Sequence, residues 1–227
     1  MSQYQNRKPI PRTILNEYRL SLKAPIEEKL GGTKEPGLRL SVLYNNPRID
    51  VFTGIPNDKE YGVIKAPMDP LTFFTFLERF KEIIEGENDQ TFKILNYTGM
   101  PSNKTVVSTT IAGKDKDGIV WLSVIAEGRP RIKFKVLPSN YHIFKDKDGN
   151  DLDLSKVSYY TAKGWVNQFG SLVPNVMNSF YEAPDGSGKP KQHNSSGYGN
   201  TSNPNTNYDK KSDFNAKEDL SEDDITF

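Results

Sequence analysis

Apolar and polar residues alternate with a period of two over much of the first 140 positions, and one segment breaks the rhythm. Leu38, Leu40 and Val42 share one face while Arg39 and Ser41 share the other, so residues 38–52 read as one alternating run that an Asn45-Asn46-Pro47 turn signal splits. Residues 61–66 read as another short strand after the 54–58 turn. The period then lengthens to 3.6. Asp69 is a natural N-cap, Pro70 fits the first helical position, and Gly86 is expected to end the helix in a left-handed conformation. Between them Phe73, Phe76, Leu77, Phe80, Ile83 and Ile84 form one stripe, which reads as a core face. Residues 91–98, 104–112, 119–126 and 131–137 return to β-branched and aromatic alternation, separated by turn residues at 99–103, 114–118 and 128–130.

Five or six short strands around one helix predict a mainly β fold with minor α content. The expected form is an OB-fold-like five-stranded barrel with helix 69–86 at one end. Two segments fit this plan less directly. Residues 1–35 are polar and basic, an arm or an irregular opening strand. In residues 155–181 Gly164, Gly170 and Pro174 interrupt the Val157, Tyr160, Trp165, Val166 and Phe169 pattern, so one or two short helices are expected. The sequence shows no internal repeat.

Composition changes the picture after residue 182. Gly, Ser, Asn, Pro, Lys and Asp dominate there, too polar to offset the entropy of ordering. Residues 1–182 are therefore expected to be the folded body, 183–217 a disordered linker and 218–227 an acidic tip. The formal net charge of +1 conceals an asymmetry. The body holds 25 Lys+Arg against 21 Asp+Glu, and the remainder holds 5 against 8. The absence of cysteine excludes a disulfide framework, a thiolate zinc site and a cysteine nucleophile. The first twenty residues lack the apolar core of a secretion signal, and no apolar run is long enough to span a membrane. A cytoplasmic protein with no membrane partner is expected, and the sequons at Asn96, Asn103 and Asn194 are then chance matches.

The candidate chemistry is binding. Strand alternation puts Arg131, Lys133 and Lys135 on one side and Ile132, Phe134 and Val136 on the other, with Arg129 extending the basic row. Val120, Leu122 and Val124 leave Trp121 and Ser123 on the opposite face of the preceding strand. If the two strands pair, Trp121 shares the surface of the cations. Lys93 and Tyr97 alternate onto one face of another strand, and Arg48, Phe52 and Lys104 are further candidates for the same platform. Cations neutralise phosphates, and a base stacked on an aromatic ring gains roughly 1–3 kcal/mol whatever its identity. Such a surface suits single-stranded nucleic acid.

Other patterns fail on spacing. Asp146-Lys-Asp-Gly-Asn-Asp151 has its glycine at the fourth position instead of the sixth of a calcium loop, and reads as a turn. Gly186-Ser-Gly-Lys-Pro190 lacks the residues that complete a phosphate loop. Two histidines, His142 and His193, make neither a metal site nor a triad. No cofactor, metal or catalytic residue is expected, and the chain does not read as an enzyme.

The last ten residues hold five carboxylates and no base, and end in Ile225-Thr226-Phe227. Ile225 and Phe227 suit a small apolar pocket, while Glu222, Asp223 and Asp224 steer the tip to a basic surface. This ending resembles the acidic, phenylalanine-terminated tip of bacterial single-stranded DNA-binding proteins, departing from it at Thr226, where those proteins have proline. The layout of OB-like body, Asn/Gly/Ser-rich linker and acidic tail is similar to that of the single-stranded DNA-binding proteins of tailed bacteriophages. The resemblance implies a protein that coats single-stranded DNA during replication, recombination and repair. Its tip would bind DNA polymerase and helicase or primase, and would compete with DNA for the basic groove. A homodimer is compatible with this reading. The sequence leaves two alternatives open: an RNA-binding or nucleic-acid chaperone module, and a protein–protein adaptor that binds no nucleic acid.

Overall fold

The phenylalanine stripe forms α1, Pro70–Glu85, with the six residues of the stripe buried and Leu71 and Phe74 exposed. The computed structural model describes residues 13–181 apart from residues 27, 44 and 99–104. Asp69 caps α1 by accepting the Thr72 N–H at 3.0 Å. Gly86 ends it for a reason other than the one expected. Its φ is −76°, outside the left-handed region. A Cβ there would lie 2.8 Å from the Glu82 carbonyl oxygen, so the position requires a missing side chain. The Lys114 ammonium satisfies the exposed carbonyls of the last turn, at 3.3 Å from Ile84 O and 2.8 Å from Gly86 O.

Four strands precede α1: β1 (Leu22–Lys23), β2 (Gly37–Leu43), β3 (Asn46–Phe52) and β4 (Val63–Pro67). Four more follow, β5 (Gln90–Thr98), β6 (Thr105–Lys114), β7 (Val120–Ile125) and β8 (Phe134–Lys135), and then a second helix, α2 (Leu154–Ser179). Each quartet is an antiparallel sheet with its strands in chain order. Among the described residues the fold is mainly β with two α-helices, as expected in class. In place of one five-stranded barrel the described residues form two four-stranded sheets. The order of four strands and a helix occurs twice, a repeat of topology that the residues themselves do not display. The expected strand at 131–137 shortens to the two-residue β8, and the two-residue β1 lies within the stretch expected to be an arm or an irregular opening strand.

The hydrophobic positions of both sheets meet in one cluster. Leu38, Leu40, Ile49, Val51 and Ile64 come from the first sheet and Val120, Leu122, Val124 and Phe134 from the second. α1 packs on β3, β5, β6 and α2, while α2 packs on β2 and β7. The helices therefore occupy the inner side of the sheets, and the opposite faces point outward.

α2 runs unbroken for 26 residues, through Gly164, Gly170 and Pro174. Proline inside a helix costs about 3 kcal/mol. The offset is the burial of Val157, Ala162, Trp165, Val166, Phe169, Val173 and Val176 along one continuous stripe. Near its start the buried Ser158 hydroxyl accepts the Val120 N–H at 2.9 Å and donates to Val136 O at 3.0 Å. One serine thus fastens the helix to β7 and to the residue after β8. Among the described residues no helix is long and apolar enough to cross a membrane.

Candidate nucleic-acid interface

The β6–β7 hairpin fixes the outward face of the second sheet. Its turn is set by Asp115, whose carboxylate accepts the Ile119 N–H at 2.8 Å, and by Gly118 at φ +78°. The register that follows places Gly113 opposite Trp121 and Trp121 opposite Lys135, with Thr91 on the far side of Gly113. In the next outward row Lys93 faces Ile111, and Ile111 faces Ser123. Before and through β8 the side chains alternate as the sequence predicts: Arg131, Lys133 and Lys135 are exposed, while Ile132, Phe134 and Val136 are buried.

Trp121 lies on this outward face but is only 7% exposed. Lys133 covers it, with Nζ 4.5 Å from the ring centroid. The same ammonium lies 3.5 Å from the Asp115 carboxylate, so it is shared between a ring and a turn carboxylate. Gly113 makes room for the indole, since a Cβ there would meet the ring at 2.8 Å. Among the described residues Lys93, Arg131 and Lys135 form no ion pair. Tyr97, 54% exposed, alternates with Lys93 on β5 beyond a bulge at Asn96/Tyr97. Lys93, Tyr97, Trp121, Arg131, Lys133 and Lys135 are thus brought to one side of one sheet.

Three expected members are elsewhere. Arg129 does not extend the basic row. Its guanidinium is 2.7 Å from the Asp58 carboxylate, with the two side chains 5% and 9% exposed, and it also donates to Val63 O. This pair joins the 128–130 turn to the loop after β3 beneath a shallow depression of about 400 Å³. A buried, paired arginine is not available to a phosphate. Arg48 and Phe52 lie on β3 in the first sheet, on a different surface from Trp121. Arg48 holds the buried Asp50, with Nε 2.7 Å from Oδ1 and Nη2 2.9 Å from Oδ2. Lys104, the 183–217 linker and the tip residues Glu222, Asp223, Asp224, Ile225 and Phe227 lie outside the described residues. Residues 146–149 form a turn, with Asp146 accepting the Asp148 and Asn150 N–H groups, both at 2.9 Å, and Gly149 at φ +83°.

Sequence reasoning missed Gly113 and Asp115, the residues that make room for the ring and hold its lid. Counting back from the Asp115-Lys-Asp-Gly118 turn would have paired Gly113 with Trp121.

No family model matches the chain. None of the curated proteins matches it. Among solved structures, the crystal structures of Trypanosoma bruciei MRP1/MRP2 are similar with a TM-score of 0.33 and 10% identity, over 70% of this chain and 86% of that one. A likeness of that size identifies neither family nor function.

Proposed function

We propose that the chain binds single-stranded DNA on the outward face of its second sheet, coating it without strong sequence preference. In this reading it recruits replication proteins, a polymerase and a helicase or primase, through residues 218–227. It is a binding protein without a catalytic step or cofactor. The observation that carries the reading is the Lys133–Trp121 pair, set among the exposed cations Lys93, Arg131 and Lys135.

The pair suggests how a strand engages. A phosphate draws the Lys133 ammonium away from Asp115 and the ring, and the uncovered indole accepts a base. The exchange gives up a cation–π contact of about 0.5–1 kcal/mol for a stack of roughly 1–3 kcal/mol. Four cations neutralising four phosphates give a slope of log affinity against log salt of roughly −0.7 per contact, about −3 in all. The five carboxylates among the last ten residues compete for the same cations when DNA is absent.

Titration of oligo-thymidylate into the full chain, read by tryptophan fluorescence at two salt concentrations, tests the reading. Quenching should follow the expected salt slope, and deletion of 218–227 should raise DNA affinity and abolish binding to replication proteins. A truncated chain that ignores oligo-thymidylate at low ionic strength would overturn the proposal.

A further inference from the structure

The first sheet presents an outward face built on the same plan, and we propose that it is a second strand-binding surface, taking a further segment of the same single-stranded DNA. The inference rests on the DNA-binding reading of the second sheet and adds a separate site to it. In the second sheet a glycine on the second strand, Gly113, stands opposite a ring on the third, Trp121, and a cation lies over that ring. In the first sheet Gly37 on β2 stands opposite Phe52 on β3, and Arg39 Cζ lies 4.4 Å from the Phe52 ring centroid. The two pairs sit at opposite ends of their hairpins. Each sheet has thus placed a cation-lidded ring beside a glycine by its own register.

The surrounding charge suits a polyanion. Lys23 follows Gly37 in the same row, and Arg39, Asp50 and Lys65 form the next row. Four cations, Lys23, Arg39, Arg48 and Lys65, stand against Asp50 and Glu60. Arg48 is committed to Asp50, which is 1% exposed and also accepts the Ser41 hydroxyl at 2.9 Å. Lys65 meets Glu60 only at 3.9 Å, both well exposed. Among the described residues Lys23 and Arg39 have no ion pair, and the Arg39 Nε is buried without a hydrogen-bond partner. Arg39 is therefore free to exchange its ring for a phosphate, as Lys133 is, while Lys23 meets the next phosphate beside Gly37. A strand long enough to reach both faces gains two sets of contacts, and a short one gains a single set.

The test compares the full chain with the Lys23→Ala/Arg39→Ala double variant, using a short and a long oligo-thymidylate of about 8 and about 30 nucleotides. The long oligonucleotide should bind the variant about tenfold more weakly, with a salt slope flatter by about 1.4 for two lost phosphate contacts. The short one should quench Trp121 with unchanged affinity. A second variant, Phe52→Trp in a Trp121→Phe background, puts an indole on the first sheet, and the long oligonucleotide should quench it. If that indole is silent and the double variant binds both lengths like the parent, while the parent's Trp121 responds, the second surface is refuted and the first stands. If Trp121 of the parent is silent as well, the DNA-binding reading falls with it.

Discussion

Lys133 closes the Trp121 ring from solvent: its ammonium lies 4.5 Å from the ring centroid, and the indole keeps only 7% of its surface exposed. The amine is the mobile member, because its side chain is 44% exposed and its second contact, to Asp115, is 3.5 Å long. Lys133→Ala should raise acrylamide quenching of Trp121 and shift its emission to the red, at a stability cost of about 0.5–1 kcal/mol for an exposed cation–π contact. Lys135→Ala, which removes the neighbouring cation opposite Trp121 in register, is the control and should leave both spectra near those of the parent. Equal spectra for the two variants would show that Lys133 is not the lid.

Arg129 and Asp58 bring together two loops 71 residues apart in sequence. Thr53 donates a second hydrogen bond to the same Asp58 oxygen, at 2.8 Å. Removing one partner of a buried pair leaves the other charge desolvated and uncompensated, at a cost of about 3–5 kcal/mol. Arg129→Met should lower the midpoint of urea unfolding accordingly without weakening binding of oligo-thymidylate by the folded fraction. The opposite pattern, weak binding at unchanged stability, would return Arg129 to the proposed DNA-binding face.

The same pair gives the fold an acid-sensitive component. Burial pushes the Asp58 carboxyl up, but the hydrogen bonds from Arg129 and Thr53 outweigh it, and the group is held below its ordinary value of 3.8. A carboxylate with a depressed folded-state pKa contributes stability that is fully present above its unfolded pKa. That contribution is lost as pH falls through the folded pKa. Asp58→Asn should therefore be less stable than the parent at neutral pH, and the gap should begin to close only below about pH 4. Paired denaturation curves from pH 7 down to pH 2.5 measure it; a gap that closes between pH 7 and 5 would place the acid sensitivity at another group.

What the sequence revealed divides along the reach of each interaction. The Arg131/Lys133/Lys135 row and the α1 stripe depend on alternation and capping within a few residues, and both occupy the predicted faces. Arg129 continues the same alternation, yet its fate is decided by a carboxylate far away in the chain. Arg48 and Phe52 do face outward, but sheet membership is set by where α1 interrupts the strands, and it assigns them to the first sheet. In α2 the local signals of Gly164, Gly170 and Pro174 point to a break, and a stripe of buried side chains against both sheets overrides them. Local chemistry was readable; partners supplied by topology were not.

Two glycines should respond in opposite directions to the same substitution. Gly113 is enclosed: an added Cβ would lie 2.8 Å from the Trp121 ring, 2.8 Å from the Thr91 methyl and 2.9 Å from the Gln90 carbonyl oxygen. The last contact is backbone held in the β5–β6 ladder, so it cannot rotate away. Gly113→Ala should cost about 1–3 kcal/mol by overpacking and should push the indole outward, raising its exposure to quencher. Gly164 sits on the exposed side of α2 with nothing near the position of a Cβ. Its helical backbone suits alanine, which restricts the unfolded chain more than glycine does, so Gly164→Ala should stabilise by about 0.4–1 kcal/mol. Thermal and urea unfolding of the two single variants give the comparison directly. A stabilised Gly113→Ala protein would mean that β6 does not pass this close to Trp121, and the register that brings the indole under Lys133 would have to be redrawn.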